Sequence, residues 1–379
     1  MKILHVSDTH LGYSAYRKST ENGINQREQD IYNAFEQFVD YAVNSKPDLV
    51  IHAGDLFDSV RPSNRAITFA LKQMIRLSKN KIPAIVISGN HEQPKLIETG
   101  HIFSIFDHIE NVHQIYNSKY EKHIFKINKE KVMIHAIPQC NSKQEFNNEI
   151  KKLKPSSDVD YNILVSHGAV TGIHAFSMNE FNELMIPAKI LSKDFDYIAL
   201  GHYHKYSKLA ENAFYSGSTE SFTFTDAGDK KGFIELDLSK KGLKYNFVEL
   251  KTRPMIDTKP IKCSKLKLDE VMKEIKQKIN QTQPEEKTIR ITLEDIPSHI
   301  YRGLDFDEIR KLTRDAVHYE IKADVLKDDV TKTSSSSKID ALVNEFKKFL
   351  EKQEIEEKET LLKLGIGYIE KIEARDEAK

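Results

Sequence analysis

The sequence predicts an α/β fold, a four-layer α/β/β/α sandwich, followed by a small α+β capping domain and a helical C-terminal tail. Three observations support this prediction. Short apolar runs alternate with amphipathic segments, polar clusters directly follow the apolar runs, and the pattern changes after Arg253-Pro254. The chain has 379 residues, which is long enough for two or three domains with a large core.

Five runs of apolar and β-branched residues predict short buried strands of an open α/β sheet. They cover residues 2–7, 49–53, 84–88, 163–166 and 197–200. Residues 213–249 contain further strand-like runs, which are expected to complete a second sheet. His5 and His52 lie inside two of these runs, and we expect both side chains to pack in the core.

Three segments show the apolar spacing of amphipathic helices. They cover residues 28–44, 62–79 and 94–108, and the last two carry a proline near the start. The first segment is expected to form the crossover between two parallel strands.

Asp, Asn and His residues follow the predicted strands, and these residue types bind transition metals. The clusters are Asp8-Thr9-His10, Gly54-Asp55, Gly89-Asn90-His91, Ser166-His167-Gly168 and Gly201-His202-Tyr203-His204. They contain too many ligands for one ion but suit two divalent ions that share a carboxylate. Because a two-metal site can hold both the attacking and the leaving oxygen of a phosphoryl displacement, the pattern predicts a metal-dependent phosphoesterase.

Composition restricts the class of protein. Lys and Arg together number 57, as do Asp and Glu, so the net charge of zero argues against DNA binding by bulk charge. Two bound divalent ions beside Asp8 and Asp55 would nevertheless leave about +2 locally to face a phosphodiester. The two cysteines fit no metal or redox motif, and no apolar run is long enough for a membrane span. We therefore expect a cytoplasmic protein that does not enter a membrane, without a signal peptide.

The chain divides into four predicted parts. Residues 1–252 form the metal-binding domain, and residues 253–327 form a small α+β domain in which strand and helix patterns alternate. Residues 328–338 include KTSSSSK, which has the composition of a flexible linker. Residues 339–379 carry two apolar helical stripes that two short helices cannot bury alone.

The motifs themselves resemble a known family. HVSDTHLG, AGDLFDSVRPS, ISGNHE, VSHGAV, ALGHYHK and SGSTE occur in order over roughly residues 1–225. This series resembles the calcineurin-like metallophosphoesterase superfamily and, within it, the Mre-eleven/SbcD nucleases of DNA double-strand-break repair. The resemblance implies the four-layer metallophosphoesterase sandwich.

The resemblance also implies a ligand set for two manganese ions per subunit. One ion would be held by Asp8, His10, Asp55 and His204. The other would be held by Asp55, Asn90, His167 and His202, so that Asp55 bridges the pair. His91 matches the general acid of the family, although a role in orienting or binding phosphate stays open. At position 58, where many members carry a phosphate-orienting His, this chain has Asp58, which we leave out of the catalytic set.

Three kinds of partner are expected. Five side chains near the predicted site suit phosphate contacts with DNA, with an ordinary solvated surface as the alternative: Tyr13, Tyr16, Arg17, Arg27 and Arg61. The family forms homodimers through the helices predicted at 62–79 and 94–108. Its tail binds an ABC-type ATPase of the Rad-fifty/SbcC kind, which would here involve Leu342, Phe346 and Phe349. Docking of the tail on its own core, or disorder, are the alternatives.

The sequence therefore predicts a manganese-dependent DNA exonuclease and endonuclease that processes DNA ends together with an ATPase. A phosphoesterase of the same fold that acts on small phosphodiesters or phosphoprotein is the alternative enzyme. A structural subunit that holds DNA ends is the alternative of another class.

Overall fold

The computed structural model describes residues 1–172, 183–326, 346–347, 350 and 358–376. It contains two compact units. The first comprises Met1–Ile261, Lys273–Thr292 and Asp305–Lys322. The second comprises Lys262–Met272, Leu293–Leu304 and the described residues from Ala323 onward. The boundaries predicted at 252/253 and 327/328 stay predictions, and the predicted linker 328–338 lies outside the described residues.

Fourteen of the described strands and three helices build the part that carries the polar clusters. The strands are β1 (Lys2–Val6), β2 (Leu49–His52), β3 (Ala84–Ile87), β4 (Val112–Ile115), β5 (Glu121–Ile127), β6 (Glu130–Ile137), β7 (Tyr161–His167), β8 (Ala169–Val170), β9 (Met185–Ile186), β10 (Tyr197–Gly201), β11 (Ser207–Ala210), β12 (Ala213–Tyr215), β13 (Gly232–Ser239) and β14 (Gly242–Glu249). The helices are α1 (Gln26–Ser45), α2 (Asn64–Lys79) and α3 (Lys143–Lys151).

Two six-stranded sheets contain most of these strands. The first sheet has the order β14-β13-β1-β2-β3-β4, and β1 to β4 run parallel. The second has the order β11-β12-β10-β7-β6-β5, and β6, β7, β10 and β12 run parallel. The carboxyl ends of the parallel strands therefore lie at one edge of each sheet, where sites form in α/β proteins.

Three apolar clusters separate four layers. Leu4 and Val6 of β1 face α1 and α2, and Ile3 of the same strand faces the second sheet, as the two-residue period of a strand requires. Phe146 and Ile150 of α3 pack with Leu164 and other side chains of the second sheet. This arrangement confirms the predicted four-layer α/β/β/α sandwich.

Local capping explains where the first two helices begin. The Asn25 side chain accepts hydrogen bonds from the backbone N–H groups of Arg27 and Glu28, and Ser63 does the same for Ala66. Lys46 ends α1 in a left-handed conformation. The helices predicted at 28–44 and 62–79 are therefore present, with ends within two residues of the prediction.

The prediction of a helix at 94–108 is wrong. Two short 3₁₀ turns, Ile97–Thr99 and Ile102–Phe106, occupy this segment instead. Gly100 has a φ of +68°, which an α-helix cannot contain, and the His101 side chain starts the second turn by accepting a hydrogen bond from Phe103 N–H. Phe103 and Phe106 still reach the core, which is the source of the helix-like apolar spacing.

The C-terminal part follows the predicted alternation. Its elements are β15 (Met255–Asp257), β16 (Ile261–Lys262), α4 (Leu268–Thr282), β17 (Thr288–Pro297), α5 (Ser298–Gly303), α6 (Phe306–Leu312), β18 (His318–Leu326) and α7 (Lys358–Asp376). Pro260, which has no backbone N–H, separates β15 from β16. Strands β15, β17 and β16 are neighbours in one sheet, and β18 pairs with β17.

Part of the predicted tail is described. The Phe346 ring packs so closely on Gly365 of α7 that a Cβ at position 365 would overlap with it. Leu342 and Phe349 lie outside the described residues. Cys140 and Cys263 are buried thiols. None of the described helices combines the length and apolar character needed to cross a membrane.

The two strand histidines are buried as predicted, with exposed fractions of 0% for His5 and 1% for His52. Burial lowers the pKa of each imidazole from 6.5 to about 3. Below pH 6.5 the unfolded chain binds a proton at each site and the native chain does not. Stability is therefore lost as the pH falls toward 3, by about 1.4 kcal/mol per pH unit for each residue.

We expect His5→Leu to reduce the pH dependence of the unfolding free energy by about 1.4 kcal/mol per pH unit under mildly acidic conditions. Denaturant unfolding of the metal-free chain at several pH values measures this slope. His108→Leu, at an exposed position, is the control and should leave the slope unchanged. The same slope in the His5 variant and the parent chain would show that His5 is not held neutral.

Candidate metal centre

The predicted ligands lie together at the carboxyl ends of five parallel strands. In the first sheet, Asp8 and His10 follow β1, Asp55 follows β2, and Asn90 follows β3. In the second sheet, His167 ends β7, and His202 and His204 follow β10. Among the described residues, three groups of side chains are close enough to share an ion: Asp8, His10 and His204; His10, Asp55 and His91; and Asp55, His167 and His202.

Asp55 lies at the centre of these groups. Its Oδ1 accepts a hydrogen bond from His91 N–H at 3.0 Å. Its Oδ2 lies 3.2 Å from Nε2 of His167 and 3.8 Å from Nε2 of His10. Within the described residues, Oδ2 of Asp55 and Nε2 of His10 are buried without a hydrogen-bond partner. Buried polar atoms normally have one, so a cation between such donors would satisfy both atoms.

Asn90 brings a second set of donors together. Its Oδ1 lies 3.0 Å from Nε2 of His167 and 3.2 Å from Nδ1 of His202. The other nitrogen of His167, Nδ1, donates to the carbonyl oxygen of Ala53 at 2.8 Å. That bond fixes the His167 ring so that Nε2 faces the cluster.

The backbone beneath the site is in an uncommon conformation. Asp8, His10, Asp55 and His202 have φ values of +52°, +44°, +55° and +106°. A side chain in this region costs of order 1 kcal/mol or more per residue. Hydrogen bonds hold the turns: Asp8 N–H donates to Gly54 O, His10 N–H donates to Asp55 O, and His202 N–H donates to Asp8 Oδ1.

Two glycines permit the close approach of these turns. Gly54 has a φ of +99°, and a Cβ there would overlap the His167 ring. A Cβ at Gly89 would overlap the Asp55 carboxylate. Glycine at both positions is therefore a packing requirement of the site.

Burial and neighbouring charge shift the pKa values of this cluster. Burial raises the pKa of the Asp8 carboxyl. Burial also tends to raise the pKa of Asp55, but the nearby His167, His91 and His10 imidazoles hold that pKa well below its usual range. Burial alone would lower the pKa of His167, and the Asp55 carboxylate raises it to about 9. Asp55 is thus an anionic centre among imidazoles, as a cation-binding carboxylate must be.

His91 lies beside the cluster with a defined orientation. Its Nδ1 is 2.9 Å from the carbonyl oxygen of Asp58, and its ring meets the His10 ring edge-on at 4.5 Å. Because a carbonyl only accepts, Nδ1 carries a hydrogen and Nε2 is the nitrogen that can exchange a proton with another group. The Asp58 carboxylate lies 3.3 Å from Nδ1 of His10. Asp58 therefore touches both histidines.

Two buried charged residues support the site, and sequence reasoning missed both. Glu92 accepts hydrogen bonds from Phe57 N–H and Gly89 N–H, each at 2.8 Å, which joins the loops after β2 and β3. Burial and the Asp55 charge raise the pKa of Glu92 to about 7. Lys231 donates to the carbonyl oxygen of His204 at 2.9 Å and to Ser218 at 3.0 Å. Only the position of Glu92 beside Asn90-His91 could have indicated a role.

The predicted DNA contacts have different surroundings. Arg17 and Arg61 are exposed. Tyr13 is half-buried and donates to the carbonyl oxygen of Phe222 at 2.9 Å. The Tyr16 ring stacks on His318 with centroids 3.8 Å apart.

Arg27 does not suit a DNA contact. Its side chain is buried in the described structure, with an exposed fraction of 0%. Its guanidinium pairs with Asp30 at 2.7 Å and Glu220 at 3.3 Å and donates to the backbone of Ser221. These partners already neutralise the charge, so Arg27 is a structural residue in this fold.

Comparisons of the sequence with known proteins find related chains. The chain is 31% identical over 264 residues to the DNA double-strand break repair protein Mre11 of Thermoplasma acidophilum, which covers 67% of this chain and 66% of the relative. It is 31% identical over 250 residues to the Mre11 protein of Methanococcus maripaludis, which covers 63% of each chain. The alignments thus span slightly less than two thirds of these relatives.

The solved structures that were found to be similar are more distant. A crystal structure of a Thermus thermophilus protein shares 11% identity at a TM-score of 0.41 and covers 65% of this chain and 98% of its own. A dimetal phosphatase from Danio rerio shares 11% identity at a TM-score of 0.37, with 66% and 98% covered.

The family model described as calcineurin-like phosphoesterase matches residues 1–206. This segment is more than half of the chain and includes all seven predicted ligands together with His91. The chain therefore belongs to the calcineurin-like phosphoesterase family.

Proposed function

We propose that this chain is a manganese-dependent DNA nuclease that hydrolyses phosphodiesters in double-strand-break repair. One observation carries the proposal: two groups of metal-binding side chains meet at the shared, anionic Asp55. The similarity to archaeal proteins named as DNA double-strand break repair proteins supports DNA as the substrate.

The donor set fits two ions. Asp8, His10, Asp55 and His204 would hold one, and Asp55, Asn90, His167 and His202 would hold the other. Carboxylate, amide and imidazole donors suit manganese, iron or zinc, and we propose manganese. When bound, divalent ions supply Lewis-acid stabilisation of the phosphodiester and lower the pKa of water.

The residues of the chain then have separate tasks. His91, oriented by the Asp58 carbonyl, would protonate the leaving oxygen through Nε2. Asp58 would orient both His91 and His10, a positional task that differs from phosphate binding. Tyr13, Tyr16, Arg17 and Arg61 would contact the DNA backbone, which requires no sequence readout.

Two protein partners belong to the proposal. We propose a homodimer through α2 and the turns of 94–108, where Ile75 and Leu96 are exposed apolar side chains. We also propose that the C-terminal tail binds an ABC-type ATPase. Leu361, Leu364 and Tyr368 of α7 are exposed and suit an apolar groove.

A substrate comparison tests the proposed function. The purified chain is incubated with manganese and with single-stranded DNA, double-stranded DNA or a small phosphodiester. We expect cleavage of DNA that requires manganese and stops when the metal is chelated. Hydrolysis of the small ester without cleavage of either DNA would contradict the nuclease assignment and favour a general phosphoesterase.

A further inference from the structure

We infer that Glu183 is a positioning residue for the metal centre, which acts by fixing the ring of His202. This inference rests on the proposed function, because it takes His202 as a metal ligand. Oε1 of Glu183 lies 2.8 Å from Nε2 of His202. On the other side of the same ring, Nδ1 lies 3.2 Å from Oδ1 of Asn90.

The contact selects one form of the imidazole. A carboxylate only accepts hydrogen bonds, so Nε2 of His202 carries the hydrogen and donates it to Glu183. In the neutral ring, Nδ1 then has its lone pair directed toward the ligand cluster. Because Oδ1 of Asn90 is also an acceptor, both atoms present lone pairs to the same point, where a shared cation would satisfy them. A carboxylate on the outer nitrogen of a metal-binding His fixes its tautomer and raises its basicity.

Burial makes this pairing strong. The side chain of His202 is 1% exposed and that of Glu183 is 11% exposed. Water therefore competes little for the hydrogen bond, and a bond to a charged acceptor is roughly twice as strong as one between neutral groups. None of the three groups of ion-binding side chains in the described chain includes Glu183, so its place is outside the ligand set.

The backbone next to Glu183 is tied to the loop that carries another ligand. The carbonyl oxygen of Leu184 accepts a hydrogen bond from Ala169 N–H at 2.9 Å. Strand β9 pairs with β8 in the register Ala169↔Met185. A Cβ at Gly168 would overlap the Leu184 carbonyl, so glycine there permits the approach. Glu183 is thus placed by the segment that directly follows His167.

The geometry separates Glu183 from an ordinary surface carboxylate. Glu183 joins one end of the β8–β9 ladder to the turn after β10, so the ring of His202 is held through Nε2 and Nδ1 stays directed at the ligand cluster. Without Glu183, Nδ1 and Nε2 of His202 would compete for the proton, and part of the population would present Nδ1–H to the ion. Each such molecule would have to exchange tautomers before that ligand could bind.

Manganese binding to the full-length, metal-free chain tests the inference. Calorimetric titration of the parent chain is expected to show two ions. Glu183→Ala should weaken one of them by about 10–100-fold and leave the other nearly unchanged. Glu183→Gln keeps an acceptor oxygen without the charge and should lose less. Glu211→Ala, which removes an exposed carboxylate paired with Lys208, is the matched control and should bind both ions normally.

A second measurement does not depend on metal. In ¹⁵N NMR of the histidine side chains of the metal-free chain, the His202 signal, assigned by its loss in His202→Asn, should report a hydrogen on Nε2. Glu183→Ala should shift it toward a mixture. Parent-like manganese affinity for both ions together with an unchanged tautomer in Glu183→Ala would overturn the inference. Failure of the parent chain to bind two ions would instead contradict the proposed two-metal function.

Discussion

Asp55→Ala is expected to abolish binding of both manganese ions and to reduce DNA cleavage by about 10³–10⁴-fold, since metal ions supply several kcal/mol of transition-state stabilisation. The reason is the position of Asp55, whose Oδ2 faces His167 at 3.2 Å and His10 at 3.8 Å. Among the residues that the structure describes, no other carboxylate belongs to two of the groups that could share an ion. Calorimetric titration and a DNA cleavage assay measure the two effects.

Asp194→Ala is the control for this experiment, because Asp194 is exposed and hydrogen-bonds only locally with Ser192. Asp55→Asn separates charge from shape: it keeps an oxygen for His91 N–H and should still lose metal affinity. Loss of one ion with normal retention of the other in Asp55→Ala would disprove the bridging assignment.

His91→Ala is expected to leave manganese binding nearly intact and to slow DNA cleavage by about 10²–10⁴-fold, the usual contribution of a general acid. The Asp58 carbonyl holds Nδ1–H, so the proton for the leaving oxygen would come from Nε2. A phosphodiester with a p-nitrophenolate leaving group needs no such proton, and its hydrolysis should change little. The ratio of the two rate losses is the decisive measurement.

His123→Ala provides a matched control, since the side chains of His123 and His91 are both 28% exposed. It should affect neither substrate. Equal losses on DNA and on the activated ester in His91→Ala would indicate that His91 orients or binds phosphate instead of donating a proton.

The strands and the polar clusters after them were predictable from sequence because their signals are local. An apolar run such as that of β3, followed directly by Gly89-Asn90-His91, contains both the strand and its loop. The segment 94–108 misled because buried Phe103 and Phe106 produce helical spacing even in short turns. Gly100 argued against a helix in this segment. A glycine interrupts a helix when its φ value is positive, and the sequence does not give that value.

Residues that act through long-range contacts could not be predicted. Arg27 is a basic residue near the predicted site, and only the fold shows that Glu220, far along the chain, pairs with it. Lys231 and Glu183 lie in segments without a motif, and they meet His204 and His202 through tertiary structure. Periodicity reports which residues are buried, but not which polar partners they meet.

The ligands come from two different sheets, and this has a consequence for how the centre is held at its working dimensions. Asp8 and Asp55 follow strands of one sheet, and His167 and His202 lie at the ends of strands of the other, with a largely apolar layer that includes Ile51, Ile85, Val165 and Ala199 between the sheets. Packed sheets are separated by about 10 Å, a distance set by the size of the side chains between them. Those aliphatic side chains take no part in metal binding. They act as a spacer that sets the distance between the two halves of the coordination shell.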